Sequence, residues 1–116
     1  MKRTALTVGA VCGILLTLVV PTFAAAAKLD SINQGEINFY TVVLEQGITY
    51  TVTVTSDTRN CDLDLYIFDS DSDICAQDCS SGSDCVVQYT PMRTQTVTLA
   101  VHAHSGDAGY LLAVTP

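Results

Sequence analysis

From residue 37 onward the chain is written in alternation. Ile37-Asn38-Phe39-Tyr40-Thr41-Val42-Val43-Leu44 is rich in β-branched and aromatic residues and closes on Glu45-Gln46-Gly47. Thr49 to Thr55 puts Tyr50, Val52 and Val54 on one side and four threonines on the other, the period of two expected of a half-buried strand. After a polar turn at Ser56 to Asn60, Leu63, Leu65 and Ile67 alternate with Asp62, Asp64, Tyr66 and Phe68. Val86 to Thr90 forms a further run ended by Pro91, and Gln95 to His102 aims Val97, Leu99 and Val101 to one face. Ser105 to Gly109 turns the chain into Tyr110-Leu111-Leu112-Ala113-Val114. No helical stripe interrupts this series. Six or more short strands between regular turn signals predict an all-β fold: a single small antiparallel β-sandwich, jelly-roll-like. There is no repeat, linker or second domain.

The register of the third run follows from cost. A slip of one residue would place Asp62 and Asp64 in the core and Leu63, Leu65 and Ile67 in water. The three apolar residues are therefore expected inside, and both carboxylates outside the apolar core.

The amino-terminal segment follows a different pattern. Lys2 and Arg3 precede an uncharged apolar run from Ala5 to Val20, Pro21 breaks it, and Ala24 to Ala27 supply small residues for cleavage. This is the layout of a signal peptide over residues 1–27, and the run is short for a bilayer span of roughly 20 residues. Cys12 is preceded by Gly9-Ala10-Val11, a poor lipidation signal. Cleavage before Lys28 leaves a domain over residues 28–116 that is secreted, extracellular or periplasmic, with no stable membrane anchor.

Charge narrows the partners of that domain. Lys28, Arg59 and Arg93 face twelve acidic residues, a formal net charge of −9 beyond the leader (3 − 12). So acidic a chain excludes nucleic acid as a partner and favours cations. The domain keeps Cys61, Cys75, Cys79 and Cys85, an even count that in an exported small domain predicts two disulfides, with three possible connectivities. Each bridge adds about 2–4 kcal/mol. A four-thiolate zinc site competes with that expectation, but no C-x-x-C pair is present.

The order of the strands carries a resemblance. Asp62-Leu63-Asp64-Leu65-Tyr66-Ile67 resembles the "DxDLYV" strand of the bacterial pre-peptidase C-terminal domain. Phe39-Tyr40 to Leu44, Gly47 and Tyr50-Thr51-Val52-Thr53-Val54 are similar to the opening of that family. Val101-His102-Ala103-His104-Ser105-Gly106 with Gly109-Tyr110-Leu111-Leu112-Ala113-Val114 is similar to its close. The resemblance runs from about Leu29 to Pro116. It implies a small β-sandwich that accompanies an exported protease or other enzyme, or binds an extracellular polymer, in some relatives with calcium. The chain departs from the family in carrying no catalytic domain and in its Cys75–Cys85 segment.

The chemical candidates are few. Asp69-Ser70-Asp71-Ser72-Asp73 imitates the start of a calcium loop, but Ile74 stands where an EF-hand needs glycine and Ser80 where it needs glutamate. An acidic turn closed by its own side chains is the simpler reading. If calcium binds, Asp69, Asp71 and Asp73 are the first ligands and Asp62 and Asp64 the helpers. Asp62 and Asp64 share a strand face and so also form a candidate carboxylate pair for glycoside hydrolysis, but the chain has no Trp to form a sugar platform. His102-x-His104 is a metal-ligand spacing on one strand face, with Asp107 the nearest acid in sequence and no third ligand identifiable. There is no hydrolase nucleophile elbow and no phosphate loop.

The expected function is a secreted, non-catalytic module that binds an extracellular protein or polymer or serves an exported protease. The competing expectations are a small metal-dependent enzyme using His102 and His104, and a structural surface-assembly protein.

Overall fold

The computed structural model describes the backbone of residues 15–19 and the whole of residues 26–116. Nine strands run β1 Leu15–Val19, β2 Ala26–Ile32, β3 Ile37–Leu44, β4 Tyr50–Ser56, β5 Asp62–Phe68, β6 Ile74–Asp78, β7 Cys85–Tyr89, β8 Gln95–Ser105 and β9 Ala108–Thr115. They form two sheets, which we call sheet A, in the order β1-β3-β8-β5-β6, and sheet B, in the order β2-β9-β4-β7. All pairings are antiparallel except the parallel edge contact of β1 with β3. The alternating runs anticipated from the sequence become β3, β4, β5, β7, β8 and β9. The expected leader lies largely outside the described residues. In a chain cut before Lys28, β1 would be lost and β3 would become an edge strand.

Besides β1, which falls within the expected leader, two strands were not anticipated. β2 begins within the alanines, and β6 is a short edge strand in the segment between the acidic turn and Cys79. β6 exists because β5 offers a hydrogen-bonding edge: Leu65 opposes Asp78 and Ile67 opposes Ala76. Tertiary pairing overrides a weak local preference here.

The core forms between the sheets. Tyr40, Val42 and Leu44 of β3, Leu63, Leu65 and Ile67 of β5, and Val97, Leu99 and Val101 of β8 meet Tyr50, Val52 and Val54 of β4 and Leu112 and Val114 of β9. Leu63, Leu65 and Ile67 are fully buried, and Asp62 and Asp64 point to the other side of β5, outside the apolar cluster, although Asp64 is itself buried there.

At one end of the core, polar atoms join the layers. The Tyr40 hydroxyl donates to Asp30 Oδ2 at 2.6 Å and also contacts the Tyr110 hydroxyl. Asn38 Nδ2 donates to Tyr110 at 2.9 Å and to the Ser31 carbonyl at 2.9 Å. Burial, reinforced by the bond to Asp30, holds the Tyr40 phenol neutral far above its ordinary range. The chain from β8 into β9 turns at Gly106, whose φ is +79° and where a Cβ would come within 2.3 Å of the Asn60 carbonyl. Only glycine fits that turn.

The expected disulfides are not formed. All four described cysteines are free, and each thiol has its own surroundings. Cys85 donates to the Leu63 carbonyl at 3.0 Å, Cys75 to the Ile67 carbonyl at 3.5 Å, and Cys61 lies 3.3 Å from Ser56 Oγ, while Cys79 is exposed. Cys75 and Cys79 are four residues apart along and just past β6, about 13 Å of extended chain, which exceeds the reach of a bridge. An even cysteine count fixes neither pairing nor proximity, and the sandwich is held by its core and its polar joint instead.

Candidate functional site

The outer face of sheet A brings Asp64 beside two histidines that stand 38 and 40 residues further along the chain. Asp64 on β5 lies directly opposite His102 on β8, and both point away from the core because they alternate with Leu63, Leu65, Val101 and Ala103. His102 Nδ1 is 3.4 Å from Asp64 Oδ2. A register shift then follows: Leu63 opposes Ala103 but Asp62 opposes Ser105, so His104 is the residue on β8 with no counterpart on β5. Such a bulge re-aims the side chain that it carries. The His104 ring stands edge-on to His102 at 6.1 Å between centroids, and the ligand atoms of Asp64, His102 and His104 all lie within 4.8 Å of one another.

The Asp64 side chain is only 10% exposed, His102 is half-buried and His104 is exposed. Tyr66, next along the same face of β5, shares a hydrogen bond with the Cys79 thiol. That bond, burial and the nearby charge of Asp64 push its pKa up to about 12, so it is a neutral phenol at physiological pH. The arrangement can hold a cation between two imidazoles and a carboxylate.

The other expected residues fall elsewhere. Asp62 accepts from Gly82 N at 3.3 Å, a loop-binding role that suits its outward position. Asp69 Oδ1 accepts from Asp71 N at 2.8 Å and Asp73 N at 3.0 Å, while Asp71 pairs with Arg93 at 3.4 Å. The carboxylate of Asp69 thus closes the turn over residues 69–73, and Ser72 takes a left-handed φ of 68° within it. Asp107 caps Gln34 N at 2.8 Å in another turn, so it does not join the histidines. Asp64 is the third potential ligand, which the sequence did not place beside the histidines. Its outward parity was legible, but its partner depended on the register between β5 and β8.

The outer face of sheet B has the opposite character. Cross-strand rows there read Leu29, Leu111 and Thr55, then Ala27, Ala113, Thr53 and Val86, then Thr115, Thr51 and Gln88. None of these is charged, in a chain with twelve acids. Leu29 is 76% exposed, Val86 57% and Leu111 38%. A shallow depression at the end of this face is lined by Leu29, Thr55, Gly109 and Leu111 together with the acids Asp30 and Asp57.

No family model and no curated protein matches the sequence. Solved structures do. The pre-peptidase C-terminal domain of collagenase from Bacillus anthracis superposes with a TM-score of 0.68 at 12% identity, over 92% of this chain and all of that domain. PliG from Aeromonas hydrophila, a periplasmic inhibitor of g-type lysozyme, gives 0.62 at 17% identity over 90% of this chain and 98% of that one. PliG from Salmonella Typhimurium gives 0.54 at 15% identity, over 89% and 98%. The likeness expected from Asp62-Leu63-Asp64-Leu65-Tyr66-Ile67 holds at the level of fold. No helix among the described residues is long and apolar enough to cross a membrane.

Proposed function

We propose that the chain is an exported, non-catalytic β-sandwich module, related to pre-peptidase C-terminal domains, that binds an extracytoplasmic protein through the outer face of sheet B. The observation that carries this reading is the uncharged face itself. With a formal charge of −9 beyond residue 27, a random surface would place acids on every side, yet the cross-strand rows of Leu29, Leu111 and Val86 hold none, and acids enter only at their margins, where Asp57 accepts from Gly109 N and Asp78 from Val86 N. Depletion of charge around exposed apolar side chains is the composition of an interface core. The fold neighbours support the same direction, since one is an inhibitor of an enzyme and another a domain of a collagenase. An apolar leader over residues 1–27 supports export.

The test uses the exported chain against two named probes, a g-type lysozyme and collagen fibrils. Binding to one of them is expected, and Leu29→Asp with Leu111→Asp should abolish it without lowering the melting temperature. Binding that survives the double variant would move the surface elsewhere, and no binding to either probe would overturn the reading for both partner classes.

A further inference from the structure

We propose that Asp64, His102 and His104 bind one Zn(II) ion on the outer face of sheet A. The site is independent of the partner-binding reading, because it lies on the opposite side of the sandwich. Three observations converge on it.

The first is spacing. The 3.4 Å between His102 Nδ1 and Asp64 Oδ2 is long for an N–H···O bond, which prefers about 2.7–3.2 Å. It matches the edge of a zinc tetrahedron, about 3.3 Å for metal–ligand bonds of about 2.0–2.1 Å. All three ligand atoms lie within 4.8 Å of one another, so small side-chain rotations bring them onto one ion.

The second is the state of Asp64. Its side chain is nine-tenths buried, and among the described residues its one polar partner is that distant imidazole. No lysine or arginine among the described residues pairs with it. A buried carboxylate with a single long contact is under-satisfied, and a cation between it and the rings would complete it.

The third is the bulge. A regular β8 would set His104 opposite Asp62, whereas the shift frees it from pairing beside His102. Bulges concentrate where a side chain must be re-aimed.

The donor set selects the ion. Two neutral imidazoles and one carboxylate suit zinc and its first-row neighbours, whereas calcium and magnesium take oxygen alone. Three protein ligands leave the fourth position of the tetrahedron to water, and the exposure of His104 leaves that position open.

The experiment titrates Zn(II) into the metal-free exported chain by calorimetry, in a Cys79→Ser background that removes the exposed thiol as a competing ligand. One zinc per chain is expected. His104→Ala and Asp64→Asn should each weaken it at least tenfold, since losing a ligand costs no less than losing an outer-shell partner. His104 is exposed, so its replacement leaves the fold intact, which the melting temperature of the metal-free variant checks. The imidazole nitrogen resonances of His102 and His104 should move with zinc in the parent chain. Unchanged affinity in both variants, or no zinc bound at micromolar concentration, would overturn the proposal.

Discussion

The two outer faces of this sandwich are built from the same kind of strand yet collect opposite chemistry. At one end of sheet A, the positions facing away from the core are Asp62, Asp64, His102 and His104, all able to carry charge or hold a metal, while Phe39, Ala100 and Phe68 continue the same face. On sheet B, the corresponding positions are threonine, leucine, valine, alanine and glutamine. Neither difference is needed for folding, because both sheets contribute apolar rows to one shared core. What the fold leaves free on each side is therefore where we place function, with the proposed zinc site on one side and the proposed protein-binding surface on the other.

The largest expected effect removes the scaffold that both faces share. Leu65 is fully buried between them, and Leu65→Ala should cost about 2–5 kcal/mol of unfolding free energy, measured by denaturant titration. A loss below about 1 kcal/mol would mean that β5 is not a core strand, and the placement of Asp64 would fall with it.

A smaller effect is expected where polar atoms tie the sheets together. Tyr40→Phe leaves the part-buried carboxylate of Asp30 without its 2.6 Å donor and should cost about 1–3 kcal/mol. If the same loss appears in Tyr110→Phe and the two are strongly non-additive, the hydroxyls act as one joint. Additive losses would split it into separate contacts.

Thiol chemistry separates exposed from buried without changing stability. Four free thiols between residues 61 and 85 should be alkylated in the denatured, unreduced chain. In the native protein Cys79 should react first and Cys85 last, because burial pushes the Cys85 thiol up to about 12 and leaves little thiolate. Mass spectrometry showing two bridged pairs would restore the disulfide expectation.

Much of this fold was legible in the sequence. The parity of Leu63, Leu65 and Ile67 fixed the inward side of β5, and that of Val97, Leu99 and Val101 did the same for β8. β6 was not legible, since Ile74-Cys75-Ala76-Gln77-Asp78 has neither strong alternation nor β-branched residues beyond one isoleucine. The candidate metal ligands were legible singly and not as a set. His102 and His104 announce themselves by spacing, but Asp64 joins them only through the register of β5 against β8, which is a long-range property. The neutral face of sheet B was hidden for the same reason. Leu29, Leu111 and Thr55 come from three distant segments and align only after pairing.

The division between the two faces can be tested in one measurement, backbone and imidazole nitrogen–proton correlation spectra of the exported chain as Zn(II) is added. Shifts clustered at Asp64, His102 and His104 and their β5 and β8 neighbours are expected, with Leu29, Thr53, Val86 and Leu111 unmoved. Shifts centred on the turn at Asp69 to Asp73, or spread across both faces, would contradict a zinc site built by the β5–β8 pairing.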